Sequence, residues 1–328
     1  MQAGEDHARE RTTAANPLIG RPARVTIVMS IVRNETYRKR NRQTGASGER
    51  RLGVHTSIAG GVHLSIERAK ELGCNTAQIF SHNPRAWFVG TIPEDSVSLF
   101  KELRTAYDID PVFIHTSYLI NLASVREDIL ERSIDLLIRE MDLADLLGAE
   151  HVVLHTGSAS QDTEEAARRR AVDALKRVSE EKAWKAHLLL ENTAGEQGDI
   201  SSSIEDLAEI IDGTGTPLIG GICLDTCHAF QAGYEVTTTE GLTRLVEGIE
   251  THLGRERVRL IHLNDSKRAF HSRVDRHEHI GTGSIGKEGL KRLVNHPAFV
   301  DIPLVLETPK KSDEDDIRNL SVVRRLLR

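Results

Sequence analysis

The chain is poor in cysteine, in aromatic residues and in long apolar runs, and it lacks a net positive charge. Three cysteines (Cys74, Cys223 and Cys227) are an odd number without the spacing of a disulfide framework, so buried thiols in a reducing, cytoplasmic setting are expected. Cys223 and Cys227 stand four apart, and no second pair exists to complete a zinc knuckle. No run reaches the roughly 18 consecutive apolar residues of a membrane span, and no segment shows the small-residue cleavage pattern of a signal peptide. A net charge of −6 argues against a general nucleic-acid binder. It leaves room for a local basic surface, because salt screens distant charges beyond about 8–10 Å.

Histidine is abundant, at 15 residues, and its placement is not random. Apolar runs end in His, Asp or Glu again and again: Arg51-Leu-Gly-Val-His55, Pro111-Val-Phe-Ile-His115, His151-Val-Val-Leu-His155, Leu188-Leu-Leu-Glu191, Gly221-Ile-Cys-Leu-Asp225, Val258-Arg-Leu-Ile-His262 and Pro303-Leu-Val-Leu-Glu307. A buried strand that ends in a charge must pair or coordinate it, because desolvating it alone is costly. Asp225-Thr-Cys-His228 offers one oxygen and one nitrogen ligand; taken alone, it reads more readily as a structural Asp beside a surface His. The repetition along the chain is what favours a shared site.

From Arg51 onward, strand-like runs alternate with helix-like segments. The runs fall near 51–57, 76–81, 111–116, 151–157, 187–192, 221–226, 258–265 and 303–308. Helical patterns lie between them, near 65–72, 127–147, 162–184, 203–212, 239–252, 285–295 and 313–327. In the longest, Leu130, Ile134, Leu137, Ile138, Met141 and Leu147 fall largely on one face, with Gly148 as the C-cap. Eight strand–helix units without a composition break predict one α/β domain, a (β/α)8 barrel over residues 51–328. A doubly wound open sheet is the structural alternative, but it gathers its site from only two or three strands. Residues 1–50 are foreign to this rhythm and read as a disordered tail or a start assigned too early. A basic arm built on Arg38-Lys-Arg-Asn-Arg42 is the alternative.

In a parallel barrel every strand ends on one face. His55, His115, His155, Glu191, Asp225, His262 and Glu307 should therefore converge, joined by His228 from the turn after strand six and by Asp275-Arg276-His277 from the loop after strand seven. Asp-x-His places both side chains on one side of an extended segment. With His55 set aside, five imidazoles and four carboxylates exceed the needs of one ion and suit two or three. Mixed nitrogen and oxygen donors favour zinc or manganese, and several close metals suit phosphate-ester hydrolysis.

Longer motifs carry a resemblance. Gly53-Val-His-Thr-Ser-Ile-Ala-Gly-Gly61, His115-Thr-Ser-Tyr-Leu-Ile-Asn-Leu122, Glu191-Asn-Thr-Ala-Gly195, Leu224-Asp-Thr-Cys-His-Ala-Phe-Gln-Ala-Gly-Tyr234, His262-Leu-Asn-Asp-Ser-Lys267 and Ser272-Arg-Val-Asp-Arg-His277 resemble the endonuclease IV family across about residues 51–328. The resemblance implies three zinc ions per chain, with manganese as the alternative at one or more sites. One would be held by His115, His155 and Glu191. A second would share the Glu191 bridge and add Asp225, His262 and Glu307; a third would take His228, Asp275 and His277. The implied reaction is hydrolysis of the phosphodiester 5′ to an apurinic or apyrimidinic site, by a zinc-activated hydroxide, leaving a 3′-hydroxyl. Trimming of blocked 3′ ends is also implied. The implied partner is double-stranded DNA, bound by a monomer with no membrane.

Arg85, in Ser81-His-Asn-Pro-Arg-Ala-Trp87, matches the family's Arg that enters the duplex stack, and Tyr118 matches its second inserted side chain. An ordinary solvated Arg and a buried ring are the plainer readings. Lys267, Arg273 and Arg276 would meet phosphates, with a solvated basic loop as the alternative. His55 is read as a residue supporting the ligands or touching phosphate, or equally as core. Glu196-Gln-Gly-Asp-Ile200 departs from the family's glycine-rich continuation, a departure expected to touch no ligand. Gly281-x-Gly283-x-x-Gly286 lacks the acidic partner of a dinucleotide site, yet could offer N–H groups to a phosphate at the next helix start. A metal-dependent sugar isomerase or epimerase on a similar barrel is the main alternative, and a non-catalytic binding barrel a second.

Overall fold

A computed structural model of the protein describes residues 49–159 and 162–327. The expectations for a tail, an early start or a basic arm fall on residues 1–48, outside the described residues. Eight parallel strands form the barrel: β1 (Leu52–Val54), β2 (Ala77–Phe80), β3 (Val112–His115), β4 (His151–Leu154), β5 (His187–Glu191), β6 (Ile219–Asp225), β7 (Val258–His262) and β10 (Leu304–Leu306). Their order is β1-β10-β7-β6-β5-β4-β3-β2. A His55–Gln78 bridge and the Thr56 N–H donating to the Gln78 carbonyl (2.8 Å) bring β1 back to β2. Gly53 permits that seam, since a Cβ there would lie 2.0 Å from the Thr76 carbonyl oxygen.

Strand parity explains why ligands follow apolar residues. Side chains two apart share a face. Phe113, Val153, Leu189, Cys223, Leu260 and Val305 pack into one closed interior cluster. Two residues after each stands His115, His155, Glu191, Asp225, His262 or Glu307. The intervening residues, among them Ile114, Leu154, Leu190, Leu224, Ile261 and Leu306, join the larger outer core with Leu137, Leu175, Ile211, Leu245, Leu290 and Val323 of the surrounding helices. A slip of one residue in any strand would turn its ligand outward and bury an apolar side chain in the mouth.

The helix expected over 127–147 is α3 (Glu127–Leu147), ended by Gly148 in the left-handed conformation at φ 73°. α1 (His63–Glu71), α4 (Glu164–Glu181), α5 (Ile204–Thr214), α7 (Thr239–His252), α8 (Gly286–Val294) and α9 (Asp313–Leu326) fall where the pattern places helices. Two others lie outside the expected spans. α2 (Glu94–Ala106) buries only Ser96, Val97 and Phe100, so its apolar stripe is faint in the sequence. α6 (Thr226–Ala232) is a short helix capped by the Asp225 side chain, which accepts the His228 N–H at 2.8 Å. That cap supplies the physical reason for Asp-x-x-His: an N-cap side chain reaches the backbone three residues on.

The seventh strand stops at His262 rather than running to 265. Asp265–Ser266 (β8) instead pairs antiparallel with His277–Glu278 (β9), folding the long loop back over the barrel mouth. The three cysteines are free and buried, as expected. Among the described residues, no helix is long and apolar enough to cross a membrane.

Candidate metal centre

Glu191 ends β5 inside the barrel with no exposure to solvent. Its Oε2 lies 3.3 Å from His115 Nε2 and 3.2 Å from His155 Nε2, and has no hydrogen-bond partner. Its Oε1 lies 2.8 Å from His262 Nδ1, which is also 3.0 Å from Glu307 Oε2. The ligand atoms of Glu191, Asp225, His262 and Glu307 gather within 4.8 Å of one another, as do those of His115, His155 and Glu191 and those of His228, Asp275 and His277. In the last group, His228 Nε2 faces His277 Nε2 at 3.3 Å, and both face Asp275 Oδ1, at 3.3 and 3.4 Å. The nine residues are thus brought together in three groups, two of which share Glu191.

Ring orientation decides what these groups can bind. The Nδ1–H groups of His115, His228 and His277 donate to the carbonyls of Thr116 (2.8 Å), Asn192 (2.9 Å) and Glu307 (3.0 Å). That leaves each Nε2 lone pair pointing into the site, the arrangement in which a carbonyl fixes the tautomer of a metal-binding His. Two lone pairs facing each other at 3.3 Å repel unless a cation or proton lies between them. Ligands about 2.0–2.1 Å from one tetrahedral cation sit roughly 3.3–3.4 Å apart. The separations in the first and third groups match this spacing, and the orphaned Glu191 Oε2 is the acceptor a cation would satisfy. The donor set therefore fits bound metal ions.

His262 is turned the other way. Its Nε2–H donates to Gln78 Oε1 (2.7 Å), presenting Nδ1 to the two glutamates. The Gln78 amide N–H groups reach Glu307 Oε1 (2.7 Å) and His55 Nδ1 (3.1 Å). Gln78 is fully buried and orients three site residues, yet it was absent from the sequence-based candidates. The available signal is one amide in Ala77-Gln-Ile-Phe80, an otherwise apolar strand. Asn264 is a second omission: its Nδ2–H donates to Asp225 Oδ2 (2.6 Å) and its Oδ1 accepts the Glu307 N–H (2.8 Å). His55 lies against Gln78, 3.7 Å from Glu307 Oε1 and with its ring 4.3 Å from that of Phe80, at the edge of the site.

Two expectations need correction. The Gly281-x-Gly283-x-x-Gly286 loop does not present its N–H groups to a phosphate, because the buried Asp265 carboxylate takes them. Gly281 N–H (2.9 Å), Gly283 N–H (3.0 Å) and Ile285 N–H (3.0 Å) all donate to it. The start of α8 is neutralised internally, and the loop anchors the ribbon that carries His277. The departure at Glu196 does touch a ligand-bearing residue: Glu196 Oε1 accepts the Asp275 backbone N–H at 3.1 Å.

Arg85 is exposed, as are Lys267, Arg273 and Arg276. The Tyr118 ring is 64% exposed, which rules out the buried-ring reading; it packs edge-on against Phe80 at 5.2 Å. A cavity of about 340 Å³ opens beside Tyr118, His155, His228 and Asp275.

The family model described as xylose isomerase-like TIM barrel matches residues 66–326, so the fold and the strand-end site define a protein of that class. Probable endonuclease 4 of Methanoculleus marisnigri is 40% identical over 276 residues, covering 84% of this chain and 98% of the relative. Probable endonuclease 4 of Thermosipho africanus is 41% identical over 265 residues, covering 80% and 94%. The crystal structure of endonuclease IV from Thermus thermophilus is similar at a TM-score of 0.75 and 39% identity, covering 84% of this chain and 98% of that one. This chain belongs to the endonuclease IV family. A D-tagatose 3-epimerase-like protein shares only the fold, at 19% identity and a TM-score of 0.64.

The site's charges give two expected outcomes. Burial works against a charged His228, but Asp225 and Asp275 outweigh it and hold the ring well above its ordinary 6.5. Burial would raise Glu191, but His262, His155 and His115 hold it well below 4.5. In metal-free protein, the His228 contribution to stability is full below pH 6.5 and fades as pH rises through the folded value. The Glu191 contribution is present above pH 4.5 and is lost as pH falls through its depressed value. A cation must displace the imidazole proton, so metal-derived stability runs the opposite way and grows with pH. Thermal melts of chelator-stripped protein should fall as pH rises above 6.5, while those of metal-loaded protein should not; parallel curves would contradict this. Gln78→Ala should weaken metal retention by about 10–100-fold in a chelator-competition titration, and an unchanged titration would show that Gln78 orients nothing.

Proposed function

We infer that this chain is a DNA-repair hydrolase that cleaves the phosphodiester 5′ to abasic sites, and that three zinc ions occupy the groups described above. The observation that carries this reading is the Glu191 carboxylate, shared between one pair of imidazoles and a second acidic group, with the His228–Asp275–His277 cluster beside them. The ligands in all three groups come from one chain, which supports action as a monomer. When bound, the ions would supply Lewis acidity that activates water and neutralises charge on the phosphate. Manganese at one of the sites is compatible with the same donors.

The protein's own side chains then bind, bend and orient. His115, His155, Glu191, Asp225, His228, His262, Asp275, His277 and Glu307 hold the ions. Lys267, Arg273 and Arg276 lie in the loop folded over the mouth and would contact backbone phosphates, fixing register without reading sequence. Arg85 and Tyr118 project from the loops after β2 and β3 and would fill the gap left in the stack. Extrusion of an abasic nucleotide is cheap, because no base has to be unstacked. The same site would accept a blocked 3′ end, whose phosphodiester differs mainly in lacking a downstream strand. A reducing cytoplasm suits the free, buried thiols.

The test is incision of a duplex carrying one tetrahydrofuran abasic analogue, a lesion that cannot undergo β-elimination. Cleavage on its 5′ side with a 3′-hydroxyl product is expected. Glu191→Gln, which removes the shared charge, should lower kcat by roughly three orders of magnitude or more. A fully metallated wild-type protein that leaves the duplex intact would overturn the reading and favour sugar epimerisation.

A further inference from the structure

Glu140 interrupts the apolar stripe of α3 between Leu137 and Met141, and only 1% of it is exposed. Burial pushes its carboxyl up to about 8. One oxygen, Oε1, accepts the Ser117 backbone N–H (3.0 Å) and lies 3.4 Å from His82 Nδ1. The other, Oε2, is buried without a partner. A carboxyl with half its capacity unmet is a poor choice for helix packing, where an apolar side chain would serve better. Its contacts reach instead to both loops that carry the proposed DNA-inserting side chains.

Ser117 immediately precedes Tyr118, and its hydroxyl donates to the carbonyl of Pro84, the residue before Arg85 (2.7 Å). His82, whose Nδ1 is hydrogen-bonded to the Ser81 hydroxyl (3.1 Å) and packs 3.4 Å from Glu140, lies with Nε2 3.2 Å from the carbonyl of Ala86, the residue after Arg85. Arg85 is therefore flanked by two groups that meet one carboxyl, Ser117 through a hydrogen bond and His82 by packing against it. α3 adds two more contacts on the same side. Ser133 Oγ, two turns before Glu140, accepts the Asn121 N–H (3.0 Å), and the Arg132 guanidinium sits over the Trp87 ring at 4.3 Å.

We propose that Glu140 is a positioning residue for DNA distortion: through Ser117 and His82 it fixes the β2 and β3 loops against one another, so that Arg85 and Tyr118 enter the duplex as a preassembled pair. The proposal rests on the inserting role given to those two residues above. Preassembly lowers the cost of ordering the loops at the moment of binding. It touches neither the ligands nor the reacting phosphate, so it acts on substrate capture and not on the chemical step.

The experiment uses the metal-loaded full-length protein and a tetrahydrofuran duplex with 2-aminopurine beside the lesion, whose fluorescence rises on unstacking. Glu140→Leu should raise KM roughly tenfold with kcat within about twofold, and should suppress the fluorescence rise. Glu140→Gln, which keeps the acceptor for the Ser117 N–H, should restore both. If Glu140→Leu does not fold, Ser117→Ala carries the test, since it keeps the backbone N–H that meets Glu140 but removes the hydroxyl that ties Pro84 to the Leu119 N–H, and should shift KM and fluorescence in the same direction. Arg85→Ala and Tyr118→Ala run in parallel. If neither changes the fluorescence, the inserting role itself falls. If they do, while Glu140→Leu and Ser117→Ala behave as wild type or lose kcat at unchanged KM, the positioning role alone is overturned.

Discussion

A carboxylate without access to water, at the centre of a barrel, is the constraint on which the rest of this structure depends. Glu191 cannot be ionised there unless positive charge surrounds it, and at least three imidazoles do so. Those imidazoles belong to β3, β7 and the loop start after β4, and only a closed parallel barrel brings them to the same point as the end of β5. The fold and the chemistry are therefore one requirement. The interior cluster of Phe113, Val153, Leu189, Cys223, Leu260 and Val305 forms a dry floor directly beneath the ligands. That floor lowers the local dielectric and strengthens every charge interaction above it.

A set of buried polar residues outside the three candidate groups keeps the residues of those groups in place. Gln78 sets the orientation of His262, Glu307 and His55, Asn264 ties Asp225 to the Glu307 backbone, and Asp265 gathers the glycine loop beneath the β8–β9 ribbon. Each fully buried donor and acceptor in this layer has a partner that would be costly to remove. The rim is built differently. Arg85, Lys267, Arg273 and Arg276 stand exposed on loops, so a chain of net charge −6 still carries a basic collar around an acidic candidate metal centre. Such local separation of charge suits a polyanion that must be both attracted and placed over cations.

Much of the architecture was legible in the sequence because strand parity leaves a trace. An apolar run that stops at His, Asp or Glu encodes both a buried strand and the direction of its last side chain. The α3 pattern with Gly148 as its stop gave both boundaries of that helix. Other elements left weaker traces. α2 buries too few apolar residues to show a stripe, and α6 owes its position to the Asp225 cap rather than to periodicity. Gln78 stayed hidden because a single amide in a short strand resembles a tolerated imperfection until its three partners are known. The glycine loop misled for a related reason. Glycine spacing shows that backbone N–H groups converge, but not whether the anion they meet is a ligand or, as here, the chain's own Asp265. Glu196 reaches Asp275 across 79 residues of sequence, a contact that local reading does not supply.

The most direct measurement is anomalous scattering at the zinc edge from crystals of the metal-loaded protein. The account predicts three peaks in the barrel mouth: one bounded by His115 and His155, one by Asp225, His262 and Glu307, and one by His228, Asp275 and His277, with Glu191 bonded to the first two. A single peak, or peaks that leave the Glu191 carboxylate unbonded, would contradict the shared-carboxylate centre from which the proposed hydrolysis follows.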